Sequence, residues 1–142
     1  MDELTRGLID EDEDAEAAPT DRAYWESKST KATLAIADQL LDVVHEFDPS
    51  LVLKYNKFYI GLAKDGRADN FISFRPQKSG LMLRVKLEQS DDIQNKIDAA
   101  GLDTLNYDRW GNYRVRLTRE DPKKHADVLR DLIQLAHDNR TG

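Results

Sequence analysis

Leu81-Met82-Leu83-Arg84-Val85-Lys86-Leu87 alternates apolar and polar positions with one exception, Met82. Successive side chains of an extended strand point to opposite sides. Leu81, Leu83, Val85 and Leu87 therefore share one face, and Met82, Arg84 and Lys86 share the other. A strand with one apolar face belongs in an antiparallel sheet covered on one side and open on the other.

Upstream of this strand, turn residues divide the chain into further strands. Pro76 through Gly80 is a turn, and before it Asn70-Phe71-Ile72-Ser73-Phe74-Arg75 is the preceding strand. Asp65-Gly66 is a two-residue hairpin signal, since both central positions of a type I′ turn need positive φ. Phe58, Ile60 and Leu62 set the apolar phase of another strand, and Leu51-Val52-Leu53-Lys54-Tyr55 forms the first. The phase slips between Leu53 and Phe58, which predicts a bulge or tight connection near Asn56-Lys57.

Helical spacing brackets these strands. Leu34, Ala37, Leu40, Leu41, Val44 and Phe47 mark a first helix that starts near Tyr24-Trp25 and stops before Asp48-Pro49. Ser90-Asp91-Asp92 caps a short helix with the stripe Ile93, Ile97 and Ala100, closed by Gly101. Tyr113-Arg114-Val115-Arg116-Leu117 alternates as a last strand. Asp121-Pro122 then reads as a cap and N1 proline for a terminal helix carrying Val128, Leu129, Leu132, Leu135 and Ala136.

The expected architecture is α+β: an antiparallel sheet of about five strands with helices packed on one face. Its order is helix, four strands, short helix, strand, helix. Residues 21–142 form this single domain, and residues 1–20 are expected to be a disordered acidic tail or a linker. The segment Asp10 to Glu16 is acids and alanine, with too little apolar area to offset its ordering entropy.

Charge is divided between the two parts. The 142-residue chain has a net charge of −6, but residues 1–22 hold nine acids and two bases, a net of −7, so the remainder is +1. The acidity of the whole chain thus gives no argument against a polyanion partner for the domain. No run of about 18 apolar residues is present, and the N-terminus lacks the basic-then-apolar order of a signal peptide. A cytoplasmic protein is expected. The absence of cysteine removes disulfides and thiolate metal sites.

Catalytic chemistry has little to build on. No serine sits in a G-x-S-x-G elbow, no glycine-rich loop is present to cradle phosphate, and no cysteine nucleophile exists. His45, His125 and His137 have no metal-ligand spacing and read as solvated helix residues. Within residues 51–87 the only acids are Asp65 and Asp69, both beside a turn, whereas a metal-dependent nuclease needs clustered carboxylates. No catalytic residue, metal ion or cofactor is expected.

The same stretch carries eight bases: Lys54, Lys57, Lys64, Arg67, Arg75, Lys78, Arg84 and Lys86. With the apolar phases turned to the core, Lys57, Tyr59, Ser73, Arg75, Arg84, Lys86, Arg114 and Arg116 share the open face with Phe71 and Met82. Lys57, Arg75, Arg84, Lys86, Arg114 and Arg116 would neutralise phosphates, and Tyr59 and Phe71 would stack bases. Basic residues on an outer face also serve simply to block edge aggregation. The expected function is a non-catalytic accessory module that binds nucleic acid or another polyanion. The alternatives are a protein-interaction or self-association module centred on Phe71 and Met82, and a hydrolase or nuclease whose acids converge only in the fold. Trp110 is expected to pack over the sheet edge, and Trp25 to anchor the first helix.

Several segments resemble a bacterial domain-of-unknown-function family. They are Tyr24-Trp25-Glu26, Lys54-Tyr55-Asn56-Lys57-Phe58-Tyr59-Ile60-Gly61-Leu62, Asn70-Phe71-Ile72-Ser73-Phe74-Arg75-Pro76, Gly101-Leu102-Asp103 and Tyr107-Asp108-Arg109-Trp110-Gly111-Asn112-Tyr113-Arg114-Val115. More distantly, the chain is similar to a family labelled predicted transport proteins. The resemblance covers about residues 23–138. It implies an accessory domain at the C-terminal end of larger bacterial proteins, fused to or partnered with ATPase-like or nuclease-like units. It implies no catalytic residues, and the transport label gains no support from a chain without a membrane span.

Overall fold

In the computed structural model, which describes residues 21–139, the alternating stretch lies within a seven-stranded antiparallel sheet. Helices α1 (Arg22–Lys28) and α2 (Lys31–His45) come first. Strands β1 (Val52–Tyr55), β2 (Ile60–Lys64), β3 (Arg67–Ala68), β4 (Ile72–Pro76) and β5 (Leu81–Lys86) follow. Then come α3 (Asp91–Ala100), β6 (Asp103–Leu105), β7 (Asn112–Leu117), α4 (Asp121–Lys124) and α5 (Ala126–Asn139). Across the sheet the order is β1-β2-β4-β5-β7-β6, with β3 paired to β2. The acidic tail or linker expected over 1–20 lies outside the described residues.

The class and the one-sided cover agree with the sequence; the element count does not. Two short strands were not expected. One is β3, the return arm of the Asp65-Gly66 hairpin, in which Lys64 pairs with Arg67. Asp65 and Gly66 have φ of 53° and 80°, as that turn requires. The other is β6, a three-residue edge strand against β7. Both long helices are also broken. Thr30 caps α2 by accepting the Thr33 N–H, while the Ser29 hydroxyl donates to the Trp25 carbonyl and closes α1. Asp121 is the first residue of α4 rather than its cap, and its carboxylate accepts the Thr118 N–H at 2.7 Å.

The core forms where the apolar strand faces meet α2 and α5. Phe74 stands in register between Ile60 and Leu83, and Leu83 pairs with Val115. Leu34, Ile36, Leu40 and Val44 of α2 and Leu129, Leu132 and Ile133 of α5 complete it, all buried. At Gly80 a β-carbon would stand 2.7 Å from the Leu117 carbonyl oxygen, so the turn into β5 accepts only glycine without a backbone shift. Gly101 closes α3 with a left-handed φ of 76°, and Ser90 caps its start by accepting the Ile93 N–H. Both were expected. No helix among the described residues is long and apolar enough to cross a membrane.

Three expectations about side chains are corrected. The histidines are half-buried rather than solvated: His137 stacks on Phe47 and meets the Phe71 ring edge-on, and His45 Nε2 lies 2.7 Å from the Leu51 carbonyl oxygen. Trp110 does not cover the sheet edge but stands 68% exposed beneath the Arg109 guanidinium. Phe58 does not continue the apolar phase of β2. The Asn56 N–H bonds to the Tyr59 carbonyl, a tight connection that starts β2 at Ile60 and leaves Phe58 67% exposed.

Two carboxylates make this fold sensitive to acid. The hydrogen bond from Lys64 Nζ at 2.7 Å, followed by those from Ser50, holds Asp48 well below the usual carboxylate range. Burial alone would raise Asp108, but the Asn112 N–H, the Asn112 side chain and the Trp110 N–H together outweigh it and hold Asp108 low. A depressed carboxyl contributes stability that is fully present above its unfolded value, about 3.9, and is lost as the pH falls through its folded value. Urea titrations at about pH 6 and about pH 3 should therefore show wild type losing more stability than Asp108→Asn over that interval. Parallel losses would mean that the Asp108 hydrogen bonds add nothing to acid sensitivity.

Candidate anion-binding surface

The open face of the sheet is set by register. One row runs Ser73, Arg84, Arg114, Leu105 across β4, β5, β7 and β6; the next runs Arg75, Met82, Arg116, Asp103. Arg75, Arg84, Arg114 and Arg116 are thus brought together as expected. Their availability differs. Arg114 donates through Nε and Nη2 to the Asn106 carbonyl, at 2.9 and 2.7 Å, and Arg116 stands 3.7 Å from the Asp103 carboxylate. Arg84 faces Arg114 across the strand pair, and its Nε is buried without a hydrogen-bond partner among the described residues. Arg75 is exposed and makes no ion pair among them.

Lys86 lies at the far end of β5, roughly 17 Å from Leu81 at about 3.4 Å per residue. It borders a cleft of about 800 Å³ between the sheet end and helices α3 and α5. Asp69 and Glu88 share that cleft, so its charge is mixed and does not favour an anion. Lys86 stands about 7 Å from Arg84 on the same face of β5, and about 14 Å along the strand from the row of Arg75 and Arg116.

The two expected stacking rings are not equivalent. Phe71 is 2% exposed, because it turns into the core and meets His137 edge-on. It offers no surface to a base. Met82, named with it as an interface centre, is 7% exposed. Arg75 and Arg116 flank it in register, and long arginine stems cover apolar neighbours while their charged ends stay in water. Tyr59 is half-buried and lies against Gly61, where a β-carbon would collide with the Asn70 carboxamide. That carboxamide accepts the Leu62 N–H at 2.8 Å and so covers this part of β2.

A second group of cations gathers between α1 and the turn after β4. The Trp25 indole N–H donates to the Asn56 carbonyl at 2.9 Å, and the Tyr24 hydroxyl donates to the Lys57 carbonyl at 3.0 Å. These bonds staple the 56–59 connection to α1. Lys28 Nζ donates to the Tyr24 hydroxyl at 3.0 Å and lies over the Tyr24 ring. Opposite stands the turn after β4, closed by the Gln77 N–H to Gly80 carbonyl bond. The result is a groove of about 260 Å³ lined by Trp25, Lys28, Lys57, Phe58, Arg75, Pro76, Gln77 and Lys78.

Four cations line this groove and no carboxylate does. None of the four is ion-paired among the described residues, whereas Arg22, Lys64, Lys96, Arg116 and Arg130 all face carboxylates elsewhere. Lys57 and Arg75 were expected here. Lys28, Lys78 and Phe58 were missed. Lys28 had a signal, its position four residues after Tyr24 on one helix face; Lys78, a single base in a turn, had none.

Among the described residues, no three His, Asp or Glu side chains are grouped as a metal site would need.

A family description matches residues 22–140. The chain belongs to the family Domain of unknown function (DUF5655). The match spans every element of the fold, including both walls of the basic groove. No curated protein and no solved structure matches the chain. For this DUF5655 domain, function has to be argued from the surface itself.

Proposed function

We propose that this DUF5655 domain is a non-catalytic binding module for nucleic acid or a similar polyanion. The groove of Lys28, Lys57, Arg75 and Lys78 is its primary contact, and Arg84 and Arg116 extend it along the open sheet face. The observation that carries this reading is four cations lining one concavity with no carboxylate among them. Like charges held together repel, and an incoming row of phosphates relieves that repulsion while releasing condensed counterions. The phosphate term is independent of sequence, so this surface supplies affinity before it supplies specificity.

A second reading is a protein-interaction module. The exposed Trp110 favours it, since its loop is held rigid by three hydrogen bonds to the Asp108 carboxylate. Tyr, Trp and Arg are enriched at such interfaces.

Fluorescently labelled oligonucleotides titrated at about 50 mM and about 200 mM salt separate the two. Charge-driven binding weakens steeply over that interval, whereas a module that docks only proteins through Trp110 binds the oligonucleotide at neither salt concentration. Removal of residues 1–20 should strengthen the first kind of binding. Their net −7, tethered to the domain, competes at an effective concentration on the order of millimolar. Equal affinity with and without those residues would show that the acids do not reach the groove.

A further inference from the structure

We infer that the ligand is single-stranded, and that one of its bases stacks on Phe58 while its phosphates lie on Lys57, Arg75 and Lys78. This rests on the polyanion reading and narrows it. Three observations converge.

The first is shape. Duplex DNA is a convex rod, read by an element that projects into a major groove about 12 Å wide. The cationic site here is instead a concavity of about 260 Å³, just below the range of roughly 300–1,000 Å³ that holds small ligands. It has room for one nucleotide-sized unit.

The second is Phe58. A large apolar side chain 67% exposed at the rim of a cationic groove loses hydrophobic stabilisation in the free protein. Its place is nevertheless fixed, because the connection that carries it is stapled to α1 through Asn56 and Lys57. A ring held out in water by a rigid loop is preorganised to stack on a flat partner.

The third is the combination of charges and ring. Lys57 Nζ lies 5.5 Å from the Phe58 ring centroid, over one face, which leaves the opposite face to a base. Arg75 and Lys78 stand across the groove from it. Stacking rings interleaved with cations are what an unpaired strand can use and a duplex cannot, since paired bases present no open face except at the ends.

The test compares four probes at matched total phosphate concentration on the full chain: a DNA strand and an RNA strand of about 12 nucleotides, the corresponding duplex, and inorganic polyphosphate. Phe58 is exposed, so Phe58→Ala and Phe58→Trp leave the core intact. Either strand should bind more tightly than duplex or polyphosphate. Phe58→Ala should weaken strand binding about tenfold, leave polyphosphate unchanged, and be rescued by Phe58→Trp. Equal binding of strands, duplex and polyphosphate, or a duplex preference, overturns this inference and leaves the polyanion reading standing. So does a silent Phe58→Ala. Failure of all four probes to bind removes both.

Discussion

The triple variant Lys57→Ala, Arg75→Ala, Lys78→Ala is expected to lose about a hundredfold in affinity for a nucleic-acid strand at about 50 mM salt. The three side chains line a single groove and none is held by a carboxylate among the described residues. Their charge is therefore available to a ligand. Each phosphate contact contributes about 0.7–0.9 to the slope of log K against log salt, so the slope should fall by about 2 to 3. Stability should change little, since all three are exposed. A control variant at Lys64, which is paired with Asp48, should bind as wild type does. Loss of binding in the control as well would mean that overall charge, not the groove, governs affinity.

Phe74→Ala should destabilise the fold by about 3–5 kcal/mol. Phe74 is fully buried on β4, in register with Ile60 and Leu83, at the centre of the layer covered by α2. Removing its ring loses the transfer free energy and leaves a cavity that rigid strands on both sides cannot close. Against a total of about 5–15 kcal/mol, this is a large fraction. In urea the midpoint should fall with the slope unchanged, and the melting temperature should drop by more than about 10 °C. A loss below about 1 kcal/mol would place Phe74 outside the core and overturn the strand register.

The sequence was most legible where structure is local. Alternation over 81–87 assigned the two faces of β5 correctly for Leu81, Leu83, Val85, Arg84 and Lys86. The Asp65-Gly66 hairpin, the Ser90 cap and the Gly101 terminus depend on a few neighbouring residues and were read from them. Failures came where distant residues decide. Phe58 is held out by bonds from Trp25 and Tyr24, more than thirty positions away. Phe71 is buried in the core beside His137 of the last helix, against its strand phase. Edge strand β6 has only three residues, Asp103 to Leu105, too few to show a period.

The candidate site divides in the same way. Arg75, Arg84, Arg114 and Arg116 share a face because strand parity puts them there, and parity is visible in the sequence. Parity does not reveal that Arg114 is tied to the Asn106 carbonyl, or that Arg116 faces Asp103 on an unforeseen strand. Nor does it bring Lys28 from a helix and Lys78 from a turn to meet Lys57 and Arg75. Arg75 belongs both to the open face that parity defines and to the groove that only the tertiary fold assembles.

Fluorescence anisotropy of a labelled single strand of about 12 nucleotides, titrated with the full chain at about 50 mM and about 200 mM salt, tests the central claim most directly. Saturable binding at the lower salt that weakens severalfold or more at the higher is the predicted result. No binding at the lower salt, with residues 1–20 present or removed, would contradict it.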